Sequence, residues 1–104
     1  MTTLDTSEAD GQTFTGNVRL VHAVGMHARP AVKLTKLAKR FQAQVSVRVA
    51  GAAEWINAKS VAEIMAMRAA HGSTIEIRAS GGDAQTAVTA LVDLIAADFP
   101  DGTA

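Results

Sequence analysis

Gly25-Met26-His27-Ala28-Arg29-Pro30-Ala31 brings an imidazole, a guanidinium and a helix start together within seven residues. His27 lies between a glycine and an apolar-periodic run that reads as a helix. Proline is tolerated in a first helical turn, where the missing N–H would have had no intrahelical acceptor. The remaining N–H groups there, chiefly those of Ala28 and Arg29, would face back toward the His27 ring. Such groups, with the positive end of the helix dipole, form an anion site. The Arg29 side chain adds a fork of donors suited to phosphate oxygens. A nucleophilic imidazole beside a phosphate-sized anion site points to a histidine that carries a phosphoryl group. Attack on phosphorus requires the neutral form of the ring, with one nitrogen lone pair available.

The flanking sequence supplies the elements that must hold this group. Val18 and Leu20 alternate with Asn17 and Arg19, which predicts a first strand over about 14–21. Ala31, Leu34, Leu37, Ala38 and Phe41 recur at helical spacing after His27. Lys33, Lys36 and Arg40 form a basic stripe on another side of that helix. Val45, Val47 and Val49 alternate as a second strand, and Trp55-Ile56-Asn57 returns as a short third. A second helix is expected from Ser60, a fourth strand over about 73–79, and a final helix capped by Asp83. That helix shows an apolar face of Ala84, Ala87, Val88, Leu91, Leu94 and Ile95. The order is β-α-β-β-α-β-α, an α+β domain. Charged residues on one face of two strands leave that face wet, so the helices must cover the other. Residues 1–13 and 99–104 read as tails around a domain at 14–98.

The chain has 104 residues, 48% of them hydrophobic, enough for one small folded domain. It contains no cysteine, which excludes thiol catalysis, disulfides and zinc–thiolate sites. No apolar run reaches the ~20 residues of a membrane span, and a cytoplasmic protein is expected. The net charge is zero, yet it is unevenly spread. Arg19, Arg29, Lys33, Lys36, Lys39, Arg40 and Arg48 follow one another with no acid between them, while Asp5, Glu8 and Asp10 precede them. A basic window around His27 fits an anionic ligand or an acidic partner surface.

Other features have structural explanations. Ser60-Val61-Ala62-Glu63 is a capping-box pattern. His22 lies near the end of the first strand, and His71 precedes Gly72 in a loop. Three histidines without carboxylates or thiols at ligand spacing give no metal site, and no cofactor is implied. Gly72, Gly81 and Gly82 suit turns and do not form a nucleotide-binding loop. Trp55 reads as a packing residue at the hairpin.

Gly25-Met26-His27-Ala28-Arg29-Pro30-Ala31, then Asn57-Ala58-Lys59-Ser60-Val61, then Ala79-Ser80-Gly81-Gly82-Asp83, resemble the HPr family of histidine-containing phosphocarriers of the phosphoenolpyruvate-dependent phosphotransferase system. The likeness runs from about residue 17 to 97. Met26 and the long hairpin before Asn57 resemble the nitrogen-related branch. The resemblance implies an open-faced β-sandwich: a four-stranded antiparallel sheet with three helices on one face. It implies a carrier without turnover of its own. His27 would be phosphorylated on Nδ1 by phosphorylated enzyme I and would pass the group to an enzyme IIA-type histidine, with Arg29 as the matching site arginine. Ser60 matches a serine phosphorylated in some relatives by an ATP-dependent HPr kinase/phosphorylase. Lys33, Lys36 and Arg40, with Val61, Ile64 and Met65, would form the docking surface, although at least one of the apolar three should be core. The chain is expected to be monomeric, with no nucleic-acid partner and no membrane insertion.

Three departures from the family pattern bear on partner choice. Arg68-Ala69-Ala70-His71 stands where a glycine is usual, which suggests a longer second helix. Glu63 is acidic where several relatives are basic or small, and the hairpin at Ala53-Glu54 is longer. Two rival readings are a regulatory HPr-like module that binds proteins without transferring phosphate, and a nucleic-acid-binding module. The first conflicts with the presence of His27. The second lacks interleaved aromatics: only Phe14, Phe41, Trp55 and Phe99 are present.

Overall fold

The computed structural model describes residues 12–100. The strands are β1 (Thr13–Arg19), β2 (Gln44–Val49), β3 (Ile56–Asn57) and β4 (Thr74–Ser80); the helices are α1 (Ala28–Ala38), α2 (Val61–Ala66) and α3 (Ala84–Ala96). The strands form one antiparallel sheet in the order β1-β4-β2-β3. With the three helices this is the α+β open-faced sandwich expected from the β-α-β-β-α-β-α order. Of the expected tails, residues 1–11 and 101–104 lie outside the described residues. Thr13 already belongs to β1, and Phe99 is only 4% exposed, so the folded unit extends past residue 98.

Alternation puts Val45, Val47, Ile75, Ile77 and Ala79 on the covered face, all buried. The six apolar residues of α3 are buried against them. Burying each large aliphatic side chain stabilises the fold by roughly 1.5–3 kcal/mol. Gly16 permits the close approach of α3 to β1: a Cβ there would lie 2.9 Å from Val88 Cγ1. The open face is polar. There the Arg48 and Arg78 guanidinium carbons lie 4.4 and 4.3 Å from the Trp55 ring centre. Arg48 Nε also donates to Glu76 at 2.6 Å. Trp55 is therefore held by two cations on the wet side of the sheet, each cation–π contact contributing about 0.5–1 kcal/mol.

Three local expectations change. Asp83 is the residue before α3, but its carboxylate makes no capping hydrogen bond. It accepts instead from the Gln42 and Ala43 N–H groups, at 2.9 and 2.8 Å, tying the α1–β2 loop to the start of α3. The capping box at α2 is half formed. Ser60 Oγ accepts from Glu63 N–H at 3.2 Å, whereas the Glu63 carboxylate takes the Asn57 N–H. The Ser60 N–H is already bonded to the Asn57 carbonyl. Helix α2 is short, six residues, rather than extended. Arg68 takes the left-handed conformation (φ 54°) and turns the chain so that Ala69 enters the core at 5% exposure.

This packing has consequences for stability. The Gln42 N–H above all, with the Ala43 N–H, holds the Asp83 carboxyl below the ordinary aspartate range. A lowered folded-state value means that the carboxylate stabilises the fold above its unfolded value and ceases to do so as pH falls through the folded one. Asp83→Asn should therefore lower Tm at neutral pH and flatten the fall in Tm below about pH 4, the usual aspartate range; an acid branch identical to wild type would reject this role. Thr35, 2% exposed in α1, has a hydroxyl with no hydrogen-bond partner among the described residues. Removing an unsatisfied buried hydroxyl at near-constant shape should help. Thr35→Val is expected to raise stability by about 1 kcal/mol in urea unfolding, and a loss would show that the hydroxyl is satisfied.

Candidate functional site

The site is assembled on the turn that enters α1. Gly25 N–H bonds back to the His22 carbonyl at 3.0 Å, and Gly25 itself sits at φ 77°. Its missing side chain matters, because a Cβ there would lie 2.6 Å from the Ala69 carbonyl oxygen. That same oxygen accepts from Met26 N–H at 2.9 Å, and the Met26 side chain is buried. The next residue, His27, therefore emerges on the surface from a fixed backbone.

His27 is the residue that precedes the first turn of α1, in an extended conformation, with its carbonyl accepting from Ala31 N–H. Its ring makes no capping bond and stands exposed. Pro30 occupies the third helical position and is buried. The first-turn N–H groups of Ala28 and Arg29 point out of the helix end beside the ring, where the dipole is positive. His22, His27, Arg29, Pro30, Lys33, Asp98, Phe99 and Pro100 line a surface depression of about 460 Å³. An exposed imidazole beside two cationic side chains and a helix start is an arrangement chemically suited to receive an anionic group.

The structure adds neighbours that the sequence did not reveal. His22 Nε2 lies 3.3 Å from His27 Nε2, and His22 Nδ1 lies 2.8 Å from Asp98 Oδ1. The two imidazole centres are 5.2 Å apart, and Phe99 meets His22 edge-on. The one sequence signal that could have pointed to His22 is its place five residues before His27, across a glycine turn. Asp98 lies 76 residues from its partner and had none. Lys33, read as a docking cation, donates to the Phe99 carbonyl at 2.8 Å and so secures the C-terminal segment over the site.

The remaining candidates separate by exposure. Lys36, Arg40 and Met65 are exposed, and Val61 is half-buried. Ile64 has no exposed surface and belongs to the core, so it leaves the docking set. The outward apolar residues near the site include Val24 and Val32, which helical and strand spacing alone did not single out. Ser60 is half-buried at the start of α2, its hydroxyl engaged with Glu63 N–H. Among the described residues no cluster of side chains is suited to hold a metal, and no helix is long and apolar enough to cross a membrane.

Comparison with known proteins agrees with this architecture. Residues 14–97 match the family model described as the PTS HPr component phosphorylation site. The chain is 39% identical over 83 residues to the phosphocarrier protein HPr of Cupriavidus necator, covering 80% of this chain and 91% of that one. It is 34% identical over 89 residues to the phosphocarrier protein NPr of Escherichia coli, covering 86% of this chain and 98% of that one. Among solved structures it is similar to HPr from Thermoanaerobacter tengcongensis, with a TM-score of 0.76, 32% identity, and coverage of 83% of this chain and 94% of that one. The exposed histidine before α1, the open-faced sandwich around it and these likenesses lead to one assignment: the chain belongs to the HPr family of phosphocarrier proteins of the phosphotransferase system.

Proposed function

We propose that the chain accepts a phosphoryl group on Nδ1 of His27 from phosphorylated enzyme I and delivers it to a histidine of an enzyme IIA-type domain. The observation that carries this reading is the exposed His27 ring, unused for capping, at the positive end of α1 beside Arg29. Phosphoryl transfer rests on alignment and electrostatics and leaves little covalent chemistry for the protein. Each interaction of an anion with an exposed helix terminus contributes about 0.3–1 kcal/mol. Such modest stabilisation suits a carrier, which must release what it accepts.

Arg29 and the N–H groups of Ala28 and Arg29 hold the transferred oxygens. Lys36 and Arg40, with Val61 and Met65, form the docking surface for acidic partner faces, charge complementarity chiefly speeding association. A cytoplasmic monomer is the form in which this carrier acts. In a mixture of enzyme I, labelled phosphoenolpyruvate, an IIA domain and this chain, label should reach the IIA domain only when the chain is present. Failure of transfer with a cognate enzyme I and IIA domain would favour a purely regulatory binding role.

Ser60 is proposed as a second, regulatory phosphosite for a kinase of the HPr kinase/phosphorylase type. A helix N-terminus tolerates added negative charge, although the neighbouring Glu63 opposes it. Incubation with ATP and such a kinase should give acid-stable label, absent in Ser60→Ala; label that persists in the variant would move the site elsewhere. The same variant loses the bond to Glu63 N–H and should cost about 1 kcal/mol of stability.

A further inference from the structure

The contacts Asp98–His22–His27 form a line of three groups joined by two hydrogen-bond distances, 2.8 and 3.3 Å. Hydrogen positions follow from what each atom can do. A carboxylate only accepts, so His22 Nδ1 must carry a proton and donate it to Asp98 Oδ1. A neutral imidazole has one N–H, which leaves His22 Nε2 as an acceptor. With both rings neutral, the facing His27 Nε2 is then the donor and carries the ring's only proton. His27 Nδ1 is left with its lone pair and has no hydrogen-bond partner among the described residues.

We propose that His22, held by Asp98, is the positioning residue that sets the His27 tautomer and takes its Nε2 proton during phosphoryl transfer. The proton step rests on the phosphocarrier reading; the tautomer assignment does not. In the step, the Nδ1 lone pair attacks the phosphorus of a phosphohistidine donor. The donor's N–P bond breaks and its electron pair returns to the donor nitrogen. The His27 ring gains positive charge as the new N–P bond forms, and its Nε2 proton moves to His22 Nε2. His22 becomes an imidazolium facing the Asp98 carboxylate. When the group leaves for the acceptor, the proton returns to His27 Nε2, restoring the cationic ring that departs most readily from phosphorus. The balance of protons is unchanged over the cycle.

The surroundings are built for this. Asp98 and Phe99 both adopt left-handed backbone conformations, φ 64° and 53°, which are costly for non-glycine residues. They are held there by Asp98 N–H to the Ile95 carbonyl, Phe99 N–H to the Leu94 carbonyl, and Lys33 to the Phe99 carbonyl. The result places the Asp98 carboxylate against His22. On the other side His71 Nδ1 lies 3.2 Å from the His22 carbonyl oxygen, fixing the backbone below the ring. Arg29 and Lys33 of α1 are the cations lining the same depression, and Asp98 is its one carboxylate among the described residues.

Long-range proton–nitrogen correlation spectra of the full chain near pH 8 read each tautomer directly. His27 should show Nε2–H with bare Nδ1, and His22 should show Nδ1–H, a form that is lost in Asp98→Ala. A wild-type His22 bearing Nε2–H, or a His27 bearing Nδ1–H, would overturn the assignment. In a second arm, His22→Ala should slow phosphoryl acceptance from enzyme I about ten- to a hundredfold, the rate equivalent of one hydrogen bond to a charged group. An unchanged rate would overturn the proton role. Absence of labelling in the wild type would overturn the carrier reading and this step with it, while the spectra still decide the tautomer.

Discussion

Replacing His27 with alanine is expected to abolish phosphoryl acceptance completely while leaving the fold as stable as wild type. The two effects separate because of where the ring stands. It is exposed, it makes no capping bond, and its one hydrogen-bond contact among the described residues is with another surface imidazole. His27 occupies the N-cap position of α1, but its side chain makes no cap bond to lose, and an exposed substitution that removes no cap bond, core packing or special backbone usually changes stability by less than about 0.5 kcal/mol. The chemistry has no such reserve. His22 is turned toward Asp98, and His71 toward a backbone carbonyl, so neither ring stands at the helix start to take over. The urea-unfolding midpoint of His27→Ala should therefore match wild type, while labelling by enzyme I disappears. A destabilised His27→Ala protein, or one that still takes acid-labile label, would contradict these roles.

Gly25→Ala is expected to do the reverse and damage the scaffold before the chemistry. At φ 77° an alanine pays for a left-handed backbone, about 1–2 kcal/mol. Its Cβ would also meet the Ala69 carbonyl oxygen at 2.6 Å, a backbone atom that no rotamer change can move. Relieving that overlap means separating Gly25 from the 68–71 turn. The Met26 N–H bond to Ala69 and the burial of Met26 would both suffer. The total loss should be about 3 kcal/mol or more, in line with the larger effects of strain and core disruption. Because His27 lies two residues on, surviving folded protein should also accept phosphate more slowly. Chemical denaturation of the purified variant checks the first expectation; a loss below about 1 kcal/mol would mean that the turn relaxes without strain.

What the sequence made legible was governed by local rules. Strand alternation, the helical apolar faces and the His27–Arg29 spacing are periodic or contiguous, and the elements they predict lie within a few residues of the observed ones. The differences share another origin: each depends on a partner remote in sequence. Asp83 turns to Gln42 and Ala43 because those N–H groups arrive from another element. Helix α2 stops early because Ala69 is needed in the core and by Met26. Ile64 is spaced like a surface neighbour of Met65 but faces inward across a helix of six residues. The Asp98–His22 contact requires the chain end to return to the first turn, and no residue spacing encodes that return. The proposed nucleophile, His27, was a candidate from sequence, whereas the groups that surround its ring were visible only in three dimensions.

The proposed function centres on one atom, Nδ1 of His27. The most direct measurement is phosphorus and nitrogen NMR of the full chain after incubation with enzyme I and phosphoenolpyruvate at neutral pH. A single phosphorus–nitrogen bond at His27 Nδ1, lost on acidification and absent in His27→Ala, is the expected result. Phosphate on any other residue, on Nε2 of His27, or on none with an active cognate enzyme I, would contradict it.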